Sequence, residues 1–263
     1  FPRPKFRTYE SDRIDLDVSS EQVARLKKFS AKNRISFYTL LMGGFSLLLK
    51  QLSGKSDVVV GMASAAQSIP GNEEVVGHLV NMLPIRSQFN EQQRVVDYLQ
   101  SLKRDMMDGI DHQCYTFGSL LQDLNIPRNP SEIPLINVVF NIDQQLSNQG
   151  LEFSQLKASY HSVPRIKENF EIFINAVSRD LNLTIECQYN KNLFKAETIK
   201  NWLENYFNLL DVIISSDLRV GDVNLSNLIV PKISSPVSEV VEKNIVRDEE
   251  TERKLVLIWK ELL

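Results

Sequence analysis

The run Asp57-Val58-Val59-Val60-Gly61-Met62-Ala63 constrains the fold more than any other part of this chain. It is almost unbroken in apolar residues and rich in β-branched ones, which favour extended backbone. A strand that does not alternate polar with apolar residues offers no face to water and has to be covered on both sides. After a polar loop containing Pro70-Gly71 comes a second apolar run, Val76-Gly77-His78-Leu79-Val80-Asn81-Met82-Leu83-Pro84-Ile85-Arg86. Gly77 lets the backbone turn or approach another group closely. Asn81 puts an amide among apolar neighbours, where its donors and its acceptor need partners. Pro84 lacks a ladder donor, which puts this strand at a sheet edge or bends it there.

Around these runs the periodicity changes several times. Ile14 to Val18 alternates with period two and reads as a strand. Ser19, with Gln22 three residues on, starts a helix that runs to about Asn33. Ser36 caps a second, strongly apolar helix that Gly54 ends. Gly43-Gly44 inside it costs about 1 kcal/mol each against Ala, which implies close packing against a neighbour. Val95 to Asp111 is helical in period, and Thr116 caps a short helix through Leu124. Leu135 to Asn141 reads as a strand, as does Leu151 to Tyr160. Phe170 to Val177 and Leu181 to Tyr189 form an antiparallel hairpin with one solvated face, and Cys187 falls on the apolar side. Ala196 to Ser215 is a long amphipathic helix. Helices and strands alternate early and strands cluster late, which favours an α/β sandwich with a mixed sheet over a doubly wound fold.

Composition narrows the function classes. A net charge of −3 in 263 residues gives no basic field for nucleic acid. No apolar run reaches the roughly 18–20 residues that span a bilayer, so neither a nucleic-acid nor a membrane partner is expected. Two cysteines at unrelated positions suggest no disulfide framework or metal site, and a reduced, cytoplasmic setting is expected. The three histidines stand far apart, without a second His or Cys at ligand spacing. No glycine-rich phosphate loop and no Gly-x-Ser-x-Gly elbow occurs. No catalytic residue is assigned from chemistry motifs alone. The chain opens without an initiator Met and stops inside a helical pattern, so it is expected to be a piece of a longer polypeptide.

Taken in order, several stretches resemble the C-terminal half of a condensation domain of nonribosomal peptide synthetases. Asp57-Val58-Val59-Val60-Gly61 resembles the strand before that family's loop. Val76-Gly77-His78-Leu79-Val80-Asn81, with Pro84 and Arg86, resembles its Gly-x-Phe-Val-Asn motif. His112-Gln113-Cys114-Tyr115-Thr116-Phe117 resembles its His-Gln-x-x-Pro-Phe motif, and Arg128-Asn129-Pro130-Ser131 with Pro134-Leu135 resembles the segment before its next strand. Thr116 stands where the family prefers Pro, Gly118 where it prefers Glu, and Leu79 replaces an aromatic. The family's His-His-x-x-x-Asp-Gly motif, which lies in the N-terminal half of such domains, does not occur in this chain. Glu250-Thr251-Glu252, with Lys254-Leu255 and Ile258-Trp259, resembles the first helix of a carrier protein domain.

The resemblance implies residues 1–230 as a C-terminal lobe, 231–246 as a linker, and 247–263 as the first helix of a following carrier domain. It implies a chloramphenicol-acetyltransferase-like two-layer sandwich, one lobe of two, with helices on one face of a mixed sheet. The active site of such a domain is a tunnel between lobes. Carrier proteins deliver phosphopantetheine-bound donor and acceptor there, and an amine attacks a thioester to form an amide. The partners implied are the upstream N-terminal lobe and the donor and acceptor carrier domains. The domain itself binds no cofactor and no metal. Asn81 is expected as a tunnel-facing amide and Gly77 as the point where the pantetheine arm passes. Gln113 and Arg86 are further substrate-binding candidates, Arg86 equally a structural ion-pair partner. A noncatalytic carrier-docking scaffold of the same fold, and an ester-forming acyltransferase, are the alternatives.

Overall fold

In the computed structural model, the described residues are 3–65, 71, 74–127, 129–144, 162–179 and 182–225. Six strands form one sheet: β1 (Ser11–Val18), β2 (Asp57–Ala65), β3 (Val80–Gln88), β4 (Val138–Gln144), β5 (Ile172–Arg179) and β6 (Asn182–Asn190). Their spatial order is β1-β6-β5-β4-β2-β3. Pairing is antiparallel except at β2–β4 and β4–β5, so the sheet is mixed. β3 occupies an edge, as a strand carrying Pro84 must if it is not bent. The expected 151–160 strand and everything beyond residue 225 lie outside the described residues.

Helices α1 (Ser20–Lys32), α2 (Phe37–Ser53), α3 (Val95–Asp111), α4 (Phe117–Asp123) and α5 (Ala196–Ser215) complete the fold with a short 3-10 turn at Val220–Asp222. The capping residues act where the sequence puts them. Ser19 Oγ accepts from Gln22 N, Ser36 Oγ from Thr39 N and Thr116 Oγ1 from Ser119 N. Gly54 ends α2 in the left-handed region at φ 66°.

One face of the sheet carries the core. Phe140, Ile174 and Cys187 lie in register across β4, β5 and β6 and meet the apolar sides of α2 and α5, where Phe45 packs against Phe140 with tilted rings, centroids 5.5 Å apart. The glycine pair in α2 lets neighbouring helices close in. A Cβ on Gly43 would stand 2.2 Å from Leu99 Cδ2 of α3, and one on Gly44 would stand 2.5 Å from Leu210 Cδ2 of α5. Neither position has room for a methyl group without movement of a buried leucine.

The opposite face differs from the sequence expectation. The β5–β6 hairpin leaves only part of its polar side to solvent: Asn182 is exposed and Thr184 half-buried, but Glu186 is 9% exposed and Gln188 3%. Loops and the N-terminal segment cover the rest. Gln188 Nε2 donates to Ser11 Oγ at 2.8 Å and to the carbonyl of Arg165, and Asn190 Nδ2 donates to Thr8 O at 2.7 Å. Arg165 lies over the Phe173 ring at 4.5 Å. Period-two alternation marks which residues share a face, and says nothing of a loop that returns to cover it. β2 is buried on both sides at its centre, because Ile136 reaches over Gly61 on the face away from the helices.

Candidate functional site

The last residues of β2, the first of β3 and the segment after α3 meet at one end of the sheet, and Asn81 joins them. Its Nδ2 donates to the carbonyls of Gln113 at 2.8 Å and Tyr115 at 3.0 Å. Its Oδ1 accepts from the backbone of Met82 at 2.9 Å and of Phe117 at 3.1 Å. All four hydrogen-bonding positions of this amide are therefore used by the chain itself. Phe117 is the first residue of α4, and the N–H groups of a helix's first turn have no partner within the helix. Asn81 satisfies this one, while Thr116 satisfies that of Ser119. The amide pins the segment 112–117 to the edge strand.

Ser64 and Asn81 are direct partners in the β2–β3 register. Ser64 Oγ donates to Gln113 Oε1 at 2.6 Å, so the half-buried Gln113 is held through its backbone by Asn81 and through its side chain by Ser64. Three stretches far apart in sequence thus form one polar knot. Gly77 lies before the strand, which begins at Val80 and not at Val76. Its φ is not in the left-handed region, and a Cβ there would meet nothing within 4 Å. Neither a turn nor a contact within the described residues calls for glycine here. Arg86 points elsewhere: its Nε and Nη2 engage Asp57 across the β2–β3 ladder at 2.5–3.1 Å. That guanidinium holds the Asp57 carboxyl below its ordinary titration range.

Apolar side chains stand in the open around the knot. Val76 is 100% exposed, with Val75, Val80 and Tyr115 each more than two-fifths exposed. The Tyr115 hydroxyl donates to Asp123, a carboxylate on the next helix, and this bond raises the phenol above its ordinary value. His112 caps the C-terminus of α3, and its Nδ1 donates to Asp108 O at 2.8 Å. His78 is exposed and far from the other described histidine in sequence. Among the described residues no three His, Cys, Asp or Glu side chains gather as a metal site would need. No single helix among them is long and apolar enough to cross a membrane.

Sequence reasoning marked Asn81 and Gln113 separately and missed Ser64. The signal for Asn81 was an amide in an apolar run. Three of its four partners are main-chain groups more than thirty residues away, which leave no side-chain pattern. A lone Ser near the end of a buried strand was the available hint for Ser64, since a half-buried hydroxyl also has to find a partner.

Residues 1–226 match the family described as Condensation domain. Surfactin synthase subunit 2 of Bacillus subtilis (strain 168) is 26% identical over 226 residues, which is 86% of this chain and 6% of that protein. The condensation domain from the monacolin K polyketide synthase MokA superposes with a TM-score of 0.74 at 17% identity, over 84% of this chain and 50% of that one. The X-domain in its complex with OxyB from teicoplanin biosynthesis gives a TM-score of 0.74 at 16% identity, over 85% of this chain and 50% of the other. At these identities the structural likeness is one of fold, and the chain spans about half the length of each of these two domains.

Proposed function

This chain belongs to the condensation domain family, and on that premise we propose that it is one lobe of an amide-forming acyltransferase of a nonribosomal peptide synthetase or hybrid assembly line. The lobe is the C-terminal one, residues 1–230, with a linker at 231–246 and the start of a carrier domain at 247–263. The observation that carries this reading is the Asn81 knot. It draws the end of β2, the 76–81 stretch and the 112–117 segment into one wall, and these are the stretches whose sequence resembles the family's motifs.

In the reaction, the amine nitrogen of a carrier-bound acceptor attacks the carbonyl carbon of a carrier-bound donor thioester. A C–N bond forms, the C–S bond breaks, the nitrogen loses a proton and the donor carrier's thiol leaves. The histidine that takes or orients that proton belongs to the other lobe. This lobe contributes position. Holding both reactants at one point can be worth roughly 7–11 kcal/mol of barrier. Asn81, saturated by its own chain, fixes the wall. Gly77, with open space around it, leaves a passage for a phosphopantetheine arm. Gln113 is the side chain left to meet it. Arg86 holds the β2–β3 register through Asp57.

Joining the chain to an N-terminal lobe bearing His-His-x-x-x-Asp-Gly tests the proposal. The joined domain should convert two loaded carriers to an amide product seen by mass spectrometry, and the chain alone should give none. An ester product from a hydroxyl acceptor would transfer the reading to an ester-forming enzyme. Absence of any product from the joined, folded domain would overturn it. The second reading, a noncatalytic docking scaffold, draws on the X-domain, which has this fold and is found in complex with OxyB.

A further inference from the structure

Among the described residues, three besides glycine hold a positive φ. Arg34 and Asn125 each follow the C-cap of a helix, where such a residue closes the last turn. Leu135, at φ 68°, ends no helix. Across it the Ile136 N–H donates to Pro134 O at 2.8 Å, so Pro134-Leu135-Ile136 is a γ-turn of the strained, positive-φ kind. A backbone held in this way needs surroundings that fix it.

The turn delivers Ile136 to the weakest junction of the sheet. β2 and β4 share a single register pair, Gly61 with Val139, whereas every other pair of neighbouring strands is matched along its length. Ile136 is shut from solvent over this pair. A Cβ on Gly61 would stand 2.7 Å from Ile136 Cγ2, 2.9 Å from Met82 Sδ and 3.0 Å from Val139 Cγ2. The isoleucine therefore rivets β2 to β4, and Met82 joins β3 to the same point one residue after Asn81.

The N-terminal segment closes over the turn. Ile133 N donates to Asn137 Oδ1 at 3.2 Å, and Glu171 N donates to Asn137 O at 2.9 Å. The Glu171 carboxylate accepts both terminal nitrogens of Arg3 at 2.5 and 3.0 Å, and Arg3 Nη1 also reaches Ser131 O at 3.4 Å. Arg7 N donates to Pro130 O at 2.9 Å. We infer that residues 3–7 are a strap that keeps this strained turn loaded, and that the loaded turn seats Ile136 in the β2–β4 seam. Releasing the strap lets Leu135 relax to a negative φ and lifts Ile136, which frees the β2–β3 hairpin and its Asn81 knot from the other four strands. This coupling belongs to the fold and holds whatever reaction the site performs.

Arg3→Met, which keeps an apolar stem and removes the fork, tests it in the whole chain by NMR. The Ile136 amide should exchange roughly 3- to 10-fold faster, as loss of a partly exposed charged bond would allow. The NOE between the Ile136 γ2 methyl and the Gly61 Hα should weaken, while amides inside α5 keep their native rates. Glu171→Gln, which removes the charge and keeps an acceptor, should give a smaller change in the same direction. Leu135→Gly removes the strain, and in that background Arg3→Met should change the Ile136 rate by less than about 2-fold, because glycine takes a positive φ freely. An unchanged Ile136 rate and NOE in Arg3→Met would overturn the inference. So would an acceleration in α5 as large as that at Ile136, since the strap would then serve only global stability. An Arg3→Met effect of full size in the Leu135→Gly background would overturn it as well.

Discussion

The helix-covered side of the sheet and the open end of the β2–β3 hairpin are held by opposite means. Under α2 and α5, side chains such as Phe140, Ile174 and Leu210 are nearly or wholly shut from solvent, and two glycines let helices approach until nothing more fits. At the hairpin end, apolar side chains are in the open and a saturated amide does the joining. The first region derives its stability from non-directional burial, which tolerates no change of volume. The second has little burial and relies on directional bonds, which fix backbone geometry while leaving surface for another molecule.

The contrast breaks most visibly in the core. Phe140→Ala removes a ring packed against Phe45 and Tyr38, and should cost about 3–5 kcal/mol in denaturant unfolding. Gly44→Ala forces Leu210 aside and should cost about 1–3 kcal/mol. If either variant instead left global stability unchanged and loosened only the 112–117 segment, the division into two regions would be wrong.

Smaller effects sharpen it. Arg86→Met should raise the Asp57 pKa, measured by NMR titration, because the ion pair that lowers it is lost. The sign follows from the direction of the shift. A lowered folded value stabilises the fold above the ordinary carboxylate pKa, and that contribution fades as the pH falls through the folded value. Since both groups lie at the surface, unfolding at neutral pH should hardly change. The two cysteines fall one in each region. Cys114 is exposed in the pinned segment. Cys187 is buried under the helices, where burial pushes its thiol far above the ordinary value. A thiol reagent should label one cysteine in the native chain and two in denaturant.

The same contrast explains what could be read from the sequence. The core was legible because its causes are local. Ser19, Ser36 and Thr116 cap where they stand, Pro84 sits on an edge strand, and the Gly43-Gly44 pair marks close packing. Boundaries went astray where context overrode pattern. β4 starts at Val138, since Leu135 takes a positive φ of 68° and breaks the extended run. β3 starts at Val80, because the apolar Val75 and Val76 lie in exposed backbone before it. The buried polar face of β6 depended on segments remote in sequence, such as Thr8 and Arg165. At the site, Asn81 and Gln113 were visible as residue types, but their connection runs through carbonyls and a backbone N–H, which every residue carries. Ser64 became visible only once β2 and β3 were in register.

The central claim is that Asn81 holds the 112–117 segment against the sheet edge independently of the core. Hydrogen exchange at the Phe117 amide measures this most directly, because that N–H has no partner within its own helix and donates to Asn81 Oδ1. In Asn81→Ala the Phe117 amide should exchange at least about tenfold faster, as loss of a bond worth about 1.5 kcal/mol would allow, while amides paired between β5 and β6 keep their native rates. An unchanged Phe117 rate, or an equal acceleration across β5 and β6, would contradict the claim.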